Sequence, residues 1–394
     1  MTGRERALGA FNRTGYDRIP VKHEGTPEVN QMIMDHFGLT NMEQLLRVVG
    51  DDFRYVELPY TGPELRTFPD GSMEGYWGER YKYAQFEGGK YLEPSYLPFA
   101  GIDKLEELDR SHFPSSDWFD YSTVRTQCEH IRDAGYAVCF GTAGDMDFIN
   151  SIARARGTEQ VLIDLITDNE VYLDIMQARF RFYYEMHERV LQAAENQQAA
   201  KKKAERVLQA AGGLVDFTHI GEDLGTQIAQ IIDFDTFDKH FAPKLKAYFS
   251  MVHGYGARTM MHMCGCVRAF LPRLIELGLD VYDVVQPTVP QMDIEVLQKD
   301  FGDKINFCGS VCVQSTLAFG TVDDVVREVE RRKRLFPEGG LFLGPSHAIQ
   351  VGTPLENILA MYRTAGSLTE EVDDSILAIS EGRDATTINM SKLF

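Results

Sequence analysis

Short apolar runs alternate with longer amphipathic stretches along this chain, and the alternation predicts strands and helices in turn. Eight apolar runs are predicted as strands, at residues 18–21, 53–58, 135–140, 213–220, 259–263, 281–286, 305–309 and 340–343. Several are apolar at almost every position, which is typical of parallel strands buried on both faces. About eight strands alternating with helices predict an α/β fold of the (β/α)8 barrel type. A doubly wound open sheet fits less well, because no glycine-rich phosphate loop follows the first strand.

Two of the intervening helices can be placed by their residues. Five apolar side chains between residues 267 and 275 lie on one face of a helix, which Gly278 is predicted to end. Pro272 lies inside this stretch, so the helix is predicted to be kinked or to begin later. A second helix is predicted at 158–166, with Thr158 as its N-cap.

The chain shows no change of composition that marks a domain boundary, so we interpret residues 1–394 as a single barrel domain with an N-terminal extension. Residues 59–95, rich in Gly, Tyr and Pro, are predicted as a long loop excursion or lid. The heptapeptide ERVLQAA occurs at 188–194 and again at 205–211, with strong helix formers between the copies. We interpret 195–211 as an insertion that lengthens a surface helix, with a partner-docking protrusion as the alternative.

The composition excludes several classes of function. Hydrophobic residues make up 44% and charged residues 25%, as in ordinary globular proteins. Acidic residues outnumber Lys and Arg by 59 to 40, and the net charge of −19 argues against nucleic acid or a membrane surface as a partner. Six cysteines in 394 residues, several of them in predicted core strands, do not indicate a disulfide framework. Because no apolar signal segment and no run of 18 apolar residues is found, a reducing cytoplasm is the expected location.

The strongest candidate for chemistry is the stretch MMHMCGC at 260–266. Strand side chains alternate, so His262 and Cys264 are predicted to project to the same side at the end of a strand. An imidazole and a thiolate held in this way make half of a zinc site, and the carboxyl ends of barrel strands are where active sites lie. The alternative is that both are buried core residues.

A second candidate is His347, which follows the apolar run LFLGPS directly. In a closed barrel the ends of different strands converge over one mouth, so His347 is predicted as a third ligand. A histidine that only hydrogen-bonds a loop is the alternative. Thr353 and Pro354 are predicted as the N-cap and the first residue of the next helix.

Adjacent carboxylates follow another apolar run, at Glu222 and Asp223. Buried carboxylates are costly unless they are ligated, protonated or hydrogen-bonded, so either is a candidate for an oxygen ligand or a general acid and base. A helix N-cap at Asp223 is the alternative. His23 and Glu24, just after the first predicted strand, are assigned to the same mouth.

A structural zinc site made of four cysteines is a further alternative. It would use Cys264, Cys266, Cys308 and Cys312, but their C-x-C and C-x3-C spacings fit the usual pairs poorly.

The sequence resembles the uroporphyrinogen decarboxylase superfamily. The residues that carry the resemblance are GEDLGTQ at 221–227, HMCG at 262–265, LPRLIELGLD at 271–280, VVQP at 284–287, MDIEVLQKDFGDKINFCG at 292–309 and GPSHAIQVGTPLENILAMY at 344–362. The resemblance implies a (β/α)8 barrel. It also implies one of two chemistries, either cofactor-free decarboxylation of uroporphyrinogen or zinc-dependent methyl transfer to or from corrinoid proteins and thiols.

The two branches differ in their motifs. The decarboxylases carry R-Q-A-G-R-Y after the first strand, whereas this chain has VKHEGTPEV at 21–29, without the arginines that an octacarboxylate requires. The methyltransferases carry H-x-C and a late Cys before a T-P-x-E-N helix. Here His262 and Cys264 match, and His347 holds the late Cys position, where histidine is an equally good zinc ligand.

The resemblance therefore implies a zinc-dependent methyltransferase. The expected metal ligands are His262, Cys264, His347 and, as an exchangeable fourth ligand, Glu222. The residues expected to orient substrate or move a proton are Glu222, Asp223, His23 and Glu24.

The implied partners are a small methylated compound (an O-, N- or S-methyl donor) or a thiol, and a methylcorrinoid on a separate corrinoid protein. The corrinoid is expected on another chain because no D-x-H-x-x-G motif occurs here. One alternative is a porphyrinogen decarboxylase, in which Asp51 or Asp52 accepts hydrogen bonds from pyrrole N–H groups and no metal is needed. The other is a barrel that binds a ligand or a corrinoid partner without turnover.

Overall fold

In the computed structural model, residues 1–195 and 213–379 are described. The predicted insertion at 195–211 and the second ERVLQAA copy lie outside the described residues, apart from Glu195. The first copy lies at the end of the long helix Glu170–Ala193.

Within residues 1–195 and 213–379, ten strands form two separate sheets. The strands are β1 (Phe53–Tyr55), β2 (Met73–Glu74), β3 (Arg80–Phe86), β4 (Gly89–Tyr96), β5 (Ala137–Gly141), β6 (Phe217–Gly221), β7 (Arg258–His262), β8 (Val281–Val285), β9 (Asn306–Val311) and β10 (Leu341–Pro345). Seven of them form one parallel sheet in the order β1-β5-β6-β7-β8-β9-β10. This curled sheet confirms the predicted α/β fold and is consistent with a barrel.

The predicted first strand, 18–21, is reduced to an isolated bridge between Val21 and Leu343. The Lys22 N–H donates to the Leu343 carbonyl at 2.9 Å, and the Asp52 N–H donates to the Val21 carbonyl at 3.0 Å. This segment therefore contacts both β10 and the residue that precedes β1. Closure into eight strands, like the single-domain assignment, stays a prediction.

Helices follow most strands of the large sheet. The α-helices of the described residues are Gly3–Phe11, Pro27–Phe37 and Met42–Val49, which precede β1, and Val124–Asp133, Asn150–Arg156, Thr158–Thr167, Glu170–Ala193, Phe234–Thr236, Ala242–Gly254, Leu271–Leu277, Ile294–Phe301, Thr316–Phe319, Val322–Leu335, Leu355–Ala365 and Asp374–Leu377. Gly278 ends its helix in the left-handed conformation, as predicted, and Pro272 lies in the first turn of a helix that begins at Leu271. Among the described residues, no helix is long and apolar enough to cross a membrane.

Two predicted caps are wrong. Thr158 is the first residue of its helix, and Gly157 takes the N-cap position with no side-chain hydrogen bond. The later helix begins at Leu355, so Pro354 rather than Thr353 is its N-cap. In both cases the N-cap lies one residue away from the threonine that was predicted to fill it.

The predicted excursion at 59–95 contains a small antiparallel sheet of β2, β3 and β4. The turn between β3 and β4 lies close to the segment that follows β10. A Cβ atom added at Gly88 would lie 2.7 Å from Cγ1 of Val351. This β-hairpin therefore reaches the carboxyl edge of the large sheet.

An apolar layer fills the concave side of the sheet near its amino edge. Each of the seven strands contributes, through Phe53, Ala137, Cys139, Phe217, Met260, Val281, Cys308 and Phe342, and the helix Gly3–Phe11 adds Ala7 and Ala10. Strand side chains alternate, so the residues two positions after Phe217, Met260 and Val281 face the same interior. Those residues are polar, and they lie above this apolar floor.

Candidate metal centre

Three predicted ligands meet at the carboxyl edge of the sheet. His262 is the last residue of β7, Cys264 follows two residues later, and His347 lies two residues after the end of β10. One donor atom from each of them lies within 4.8 Å of the other two. The two imidazole rings are 5.8 Å apart between centroids. The curl of the sheet thus brings together residues that are 83 positions apart in sequence (347 − 264).

The donor set fits a zinc ion. Zinc binds imidazole nitrogen at about 2.0 Å and thiolate sulfur at about 2.3 Å, so a tetrahedral N–Zn–S pair spans about 3.6 Å. Nε2 of His262 lies 3.2 Å from Sγ of Cys264, close to that span. Three protein donors with a fourth position left for a ligand are the pattern of catalytic zinc sites rather than structural ones.

The electrostatics of the cluster favour a thiolate. Burial raises the pKa of Cys264, but the imidazoles of His262 and His347 outweigh burial and lower it below its ordinary value. The hydrogen bond with Cys264 in turn raises the pKa of His347. The thiolate is the form of cysteine that binds metals.

Asp283, in the middle of β8, lies behind His262. Its Oδ2 accepts hydrogen bonds from Nδ1 of His262 at 3.0 Å and from Nε2 of His219 at 3.1 Å. The bond to Nδ1 leaves Nε2 of His262 directed at Cys264. A carboxylate behind a histidine in this way fixes the tautomer and ring orientation of metal ligands.

The loop that carries Cys264 is held from both sides. The Cys264 N–H donates to Oδ1 of Asp223 at 2.8 Å, and the Gly265 N–H donates to Oε1 of Gln286 at 2.9 Å. Gly265 has a φ of +78°, and an added Cβ would lie 2.4 Å from the Thr226 carbonyl oxygen. Only glycine fits this turn without a shift of the backbone.

Glu222, the predicted fourth ligand, lies outside the group of converging donors. Its carboxylate is buried and accepts the backbone N–H groups of Phe148 at 2.8 Å and Ile149 at 3.3 Å. Burial, together with Asp147, raises the pKa of Glu222 well above its ordinary value. This arrangement does not support Glu222 as a ligand, because its oxygens are engaged by amides of another loop.

Asp223 contacts the site through the Cys264 backbone, and its other oxygen accepts a hydrogen bond from Asn150 at 2.9 Å. No helix begins at Asp223 in the described residues, so the N-cap alternative is wrong. Asp223 positions the ligand loop.

His23 and Glu24 differ in their surroundings. Both ring nitrogens of His23 have protein partners, the Tyr362 hydroxyl at 2.5 Å and Oδ1 of Asn30 at 2.9 Å. Glu24 is about one-third exposed, and its Oε2 lies 3.5 Å from Nζ of Lys22. Burial raises the pKa of Glu24, but Lys22 and the nearby imidazoles of the metal group outweigh it and lower the pKa. Glu24 is therefore the predicted acid or base that lies beside the cluster.

The aspartates of the decarboxylase alternative are engaged elsewhere. Asp51 and Asp52 precede β1, at its amino end, whereas the donor cluster lies at the carboxyl edge. Asp52 forms ion pairs with Arg6 and Arg18 at 2.6 and 2.9 Å. The side chain of Asp51 accepts hydrogen bonds from the backbone N–H groups of His23 and Phe53. The structure does not favour a role for these carboxylates in binding pyrrole N–H groups.

The alternative of a four-cysteine zinc site is wrong. Sγ of Cys266 donates to the Pro290 carbonyl at 3.4 Å, and Cys312 contacts the Thr288 hydroxyl. Cys308 is buried within β9. Among the described residues, these three cysteines belong to no cluster of potential metal ligands.

Sequence reasoning missed Asp283 and gave no role to His219 or Lys22. Asp283 lies in the apolar run VYDVVQ, and Lys22 follows directly after a predicted strand. The available signal was a charged residue within or next to an otherwise apolar run, because such charges are costly unless they are paired. Their partners could not be assigned without the order of the strands.

Comparison with known proteins gives a family match and a structural match. Residues 215–368 match the family model described as uroporphyrinogen decarboxylase (URO-D). Among solved structures, the chain is similar to a methyltransferase from Methanosarcina mazei, with 17% identity and a TM-score of 0.61 over 93% of this chain and 98% of that chain. No curated protein sequence matches. The family match confirms the predicted resemblance, and the structural match shows the fold.

Proposed function

We propose that this chain, whose residues 215–368 match the uroporphyrinogen decarboxylase family model, is a zinc-dependent methyltransferase. It moves a methyl group between a small methylated compound, or a thiol, and a separate corrinoid protein. The observation that carries the proposal is the convergence of His262, Cys264 and His347 at the carboxyl edge of the sheet. The likeness in fold to a methyltransferase supports it.

The residues of this chain have distinct tasks in that reaction. His262, Cys264 and His347 would hold the zinc ion, and Asp283 keeps the His262 ring in place. A bound zinc ion supplies a Lewis acid that polarises the substrate heteroatom or favours the thiolate form of a thiol. Glu24 is partly exposed beside the cluster and is positioned to hold or move a proton at the substrate.

The transfer balances with a corrinoid partner. In demethylation the bond between carbon and the heteroatom breaks, the electron pair of a cobalt(I) corrinoid forms the new cobalt–carbon bond, and the leaving heteroatom takes up a proton. This chain holds no D-x-H-x-x-G motif, so the corrinoid is assigned to a second protein. The second test below determines the substrate type and the direction of transfer.

The first test measures zinc in the purified protein and in three variants. About one zinc per chain is expected in the wild type, with loss of zinc in Cys264→Ala and His347→Ala. Cys266→Ala is the matched control, because this cysteine is two residues from Cys264 but donates to a backbone carbonyl. Circular dichroism shows whether each variant is folded. A wild type without zinc, or zinc retained in both ligand variants, refutes the proposal.

The second test measures methyl transfer with free cobalamin in place of the corrinoid protein. Cob(I)alamin is mixed with an aryl methyl ether or a methylamine, and methylcobalamin is mixed with a thiol, while the cobalamin spectrum is followed. Turnover by the wild type and none by Cys264→Ala is expected. Turnover of uroporphyrinogen by the metal-free protein would instead establish the decarboxylase alternative.

A further inference from the structure

Lys22 is a buried ammonium group beside the candidate metal centre. Its side chain is only 8% exposed, and lysine is rarely buried to this extent without a charged partner. The backbone of Lys22 is fixed on β10, because its N–H donates to the Leu343 carbonyl at 2.9 Å. From this anchored backbone the side chain reaches the buried carboxylate of Asp283.

Two carboxylates face this ammonium group. Nζ of Lys22 lies 3.5 Å from Oε2 of Glu24 and 4.0 Å from Oδ1 of Asp283. Asp283 is completely buried, and its Oδ1 has no hydrogen-bond partner among the described residues. Its other oxygen accepts the two imidazole N–H groups of His219 and His262. Lys22 is thus the cation on the side of Asp283 that hydrogen bonds leave open.

The charge balance explains why the site needs this lysine. A carboxylate removed from water is costly unless a cation or several hydrogen bonds compensate it. The imidazole of a metal ligand is neutral, so His262 cannot supply that charge once it binds a metal. His219 offers one hydrogen bond but no fixed charge. The ammonium group of Lys22 compensates Asp283 from the opposite side.

We propose that Lys22 is a positioning residue of the metal centre, which acts through Asp283. It holds the Asp283 carboxylate so that Oδ2 accepts the Nδ1–H of His262 and Nε2 of His262 stays directed at the metal position. The inference rests on the proposed function only in that His262, Cys264 and His347 hold a metal ion. It assigns Lys22 no contact with metal or substrate.

The test is a double-mutant cycle read by cobalt(II) binding. Cobalt(II) replaces zinc and gives visible absorption from its thiolate bond, so a titration yields both the dissociation constant and the geometry of the site. Lys22→Met keeps an unbranched side chain one atom shorter than lysine and removes the charge. It is expected to weaken cobalt(II) binding about 10- to 100-fold, as the loss of partners behind metal ligands does. In an Asp283→Asn background the same substitution is expected to change binding less than about threefold.

Three further variants serve as controls for this cycle. Lys22→Arg restores the charge and is expected to bind cobalt(II) more tightly than Lys22→Met. Lys22→Gln replaces Lys22→Met in the cycle if that variant does not fold. Arg156→Met is the matched control, because Arg156 is also a buried cation paired with a buried aspartate, Asp164, and contacts none of the ligands. It is expected to lower the urea midpoint without changing cobalt(II) binding.

Two results would overturn the inference. One is wild-type cobalt(II) binding in Lys22→Met. The other is an equal loss in the wild-type and Asp283→Asn backgrounds, which would make Lys22 a general stabiliser. The readout needs neither corrinoid nor methyl donor. A wild type that binds cobalt(II) but transfers no methyl group therefore refutes the proposed function alone, whereas a wild type that binds no metal refutes both.

Discussion

Gly265 offers a direct test of how tightly the ligand loop is built. The substitution Gly265→Ala adds one methyl group next to Cys264. The residue has a φ of +78°, and the new Cβ would lie 2.4 Å from the Thr226 carbonyl oxygen and 2.6 Å from the Gly225 carbonyl oxygen. Both contacts are with backbone atoms, which cannot rotate away as a side chain can.

The expected cost has two parts. A side chain in the left-handed region costs about 1 to 2 kcal/mol. Overpacking against backbone costs about 1 to 3 kcal/mol more. We therefore expect Gly265→Ala to lower the free energy of unfolding by about 2 to 5 kcal/mol. The shift of the loop also moves Cys264, so cobalt(II) affinity is expected to fall at least about tenfold.

Gly352→Ala separates the two parts. Gly352 has a φ of +91°, and nothing lies within 4 Å of an added Cβ. This variant is expected to show only the backbone cost, about 1 to 2 kcal/mol, with wild-type cobalt(II) binding. Urea denaturation and cobalt(II) titration of both variants make the comparison. If Gly265→Ala is as stable as Gly352→Ala and binds cobalt(II) normally, the loop is not as constrained as the structure implies.

Three further predictions concern the aspartates. Asp283→Asn is expected to lower zinc affinity about 10- to 100-fold in competition with a chromophoric chelator, because a neutral amide holds the His262 ring less firmly; unchanged affinity would contradict this. Asp52→Asn is expected to lower the free energy of unfolding by about 3 kcal/mol in urea, since two arginines lose their buried partner, while zinc content stays unchanged. Burial raises the pKa of Asp51 to about 6, above the value of about 4 in the unfolded chain. The folded protein therefore binds this proton more tightly, and the stability gained from it is present below about pH 4 and is lost as the pH rises through 6. Asp51→Asn should therefore flatten the fall of stability between pH 4 and 6, and an unchanged slope would show that Asp51 does not titrate in this range.

The strands could be predicted because they are buried on both faces. The apolar runs at β7 and β10 correspond closely to the predicted 259–263 and 340–343. The run 213–220 forms a strand only from Phe217, although the backbone of Asp216 already bonds to Val138 and Arg258 on either side. Residues 18–21 keep a single bridge to Leu343, and Pro20 has no backbone N–H to add to a ladder.

The ligand motif could be predicted because it depends on local spacing. That His262 and Cys264 face the same side follows from the alternation of side chains along a strand, and both lie where the strand ends. Asp283 and Lys22 depend on which strands are neighbours, and one sequence does not reveal that order. Glu222 and Asp223 look equivalent in sequence, yet amides of a distant loop bind the first and the ligand loop binds the second.

The hairpin of β3 and β4 has a consequence for molecular size. Its turn packs against Val351, four residues beyond His347, so the arm stands at the same rim as the three ligands. Under the proposed function, a folded corrinoid protein that brings cobalt to the three ligands has to accommodate or displace this arm. Shortening the turn around Gly88 would therefore change how fast a corrinoid protein is used and leave the use of free cobalamin as it was.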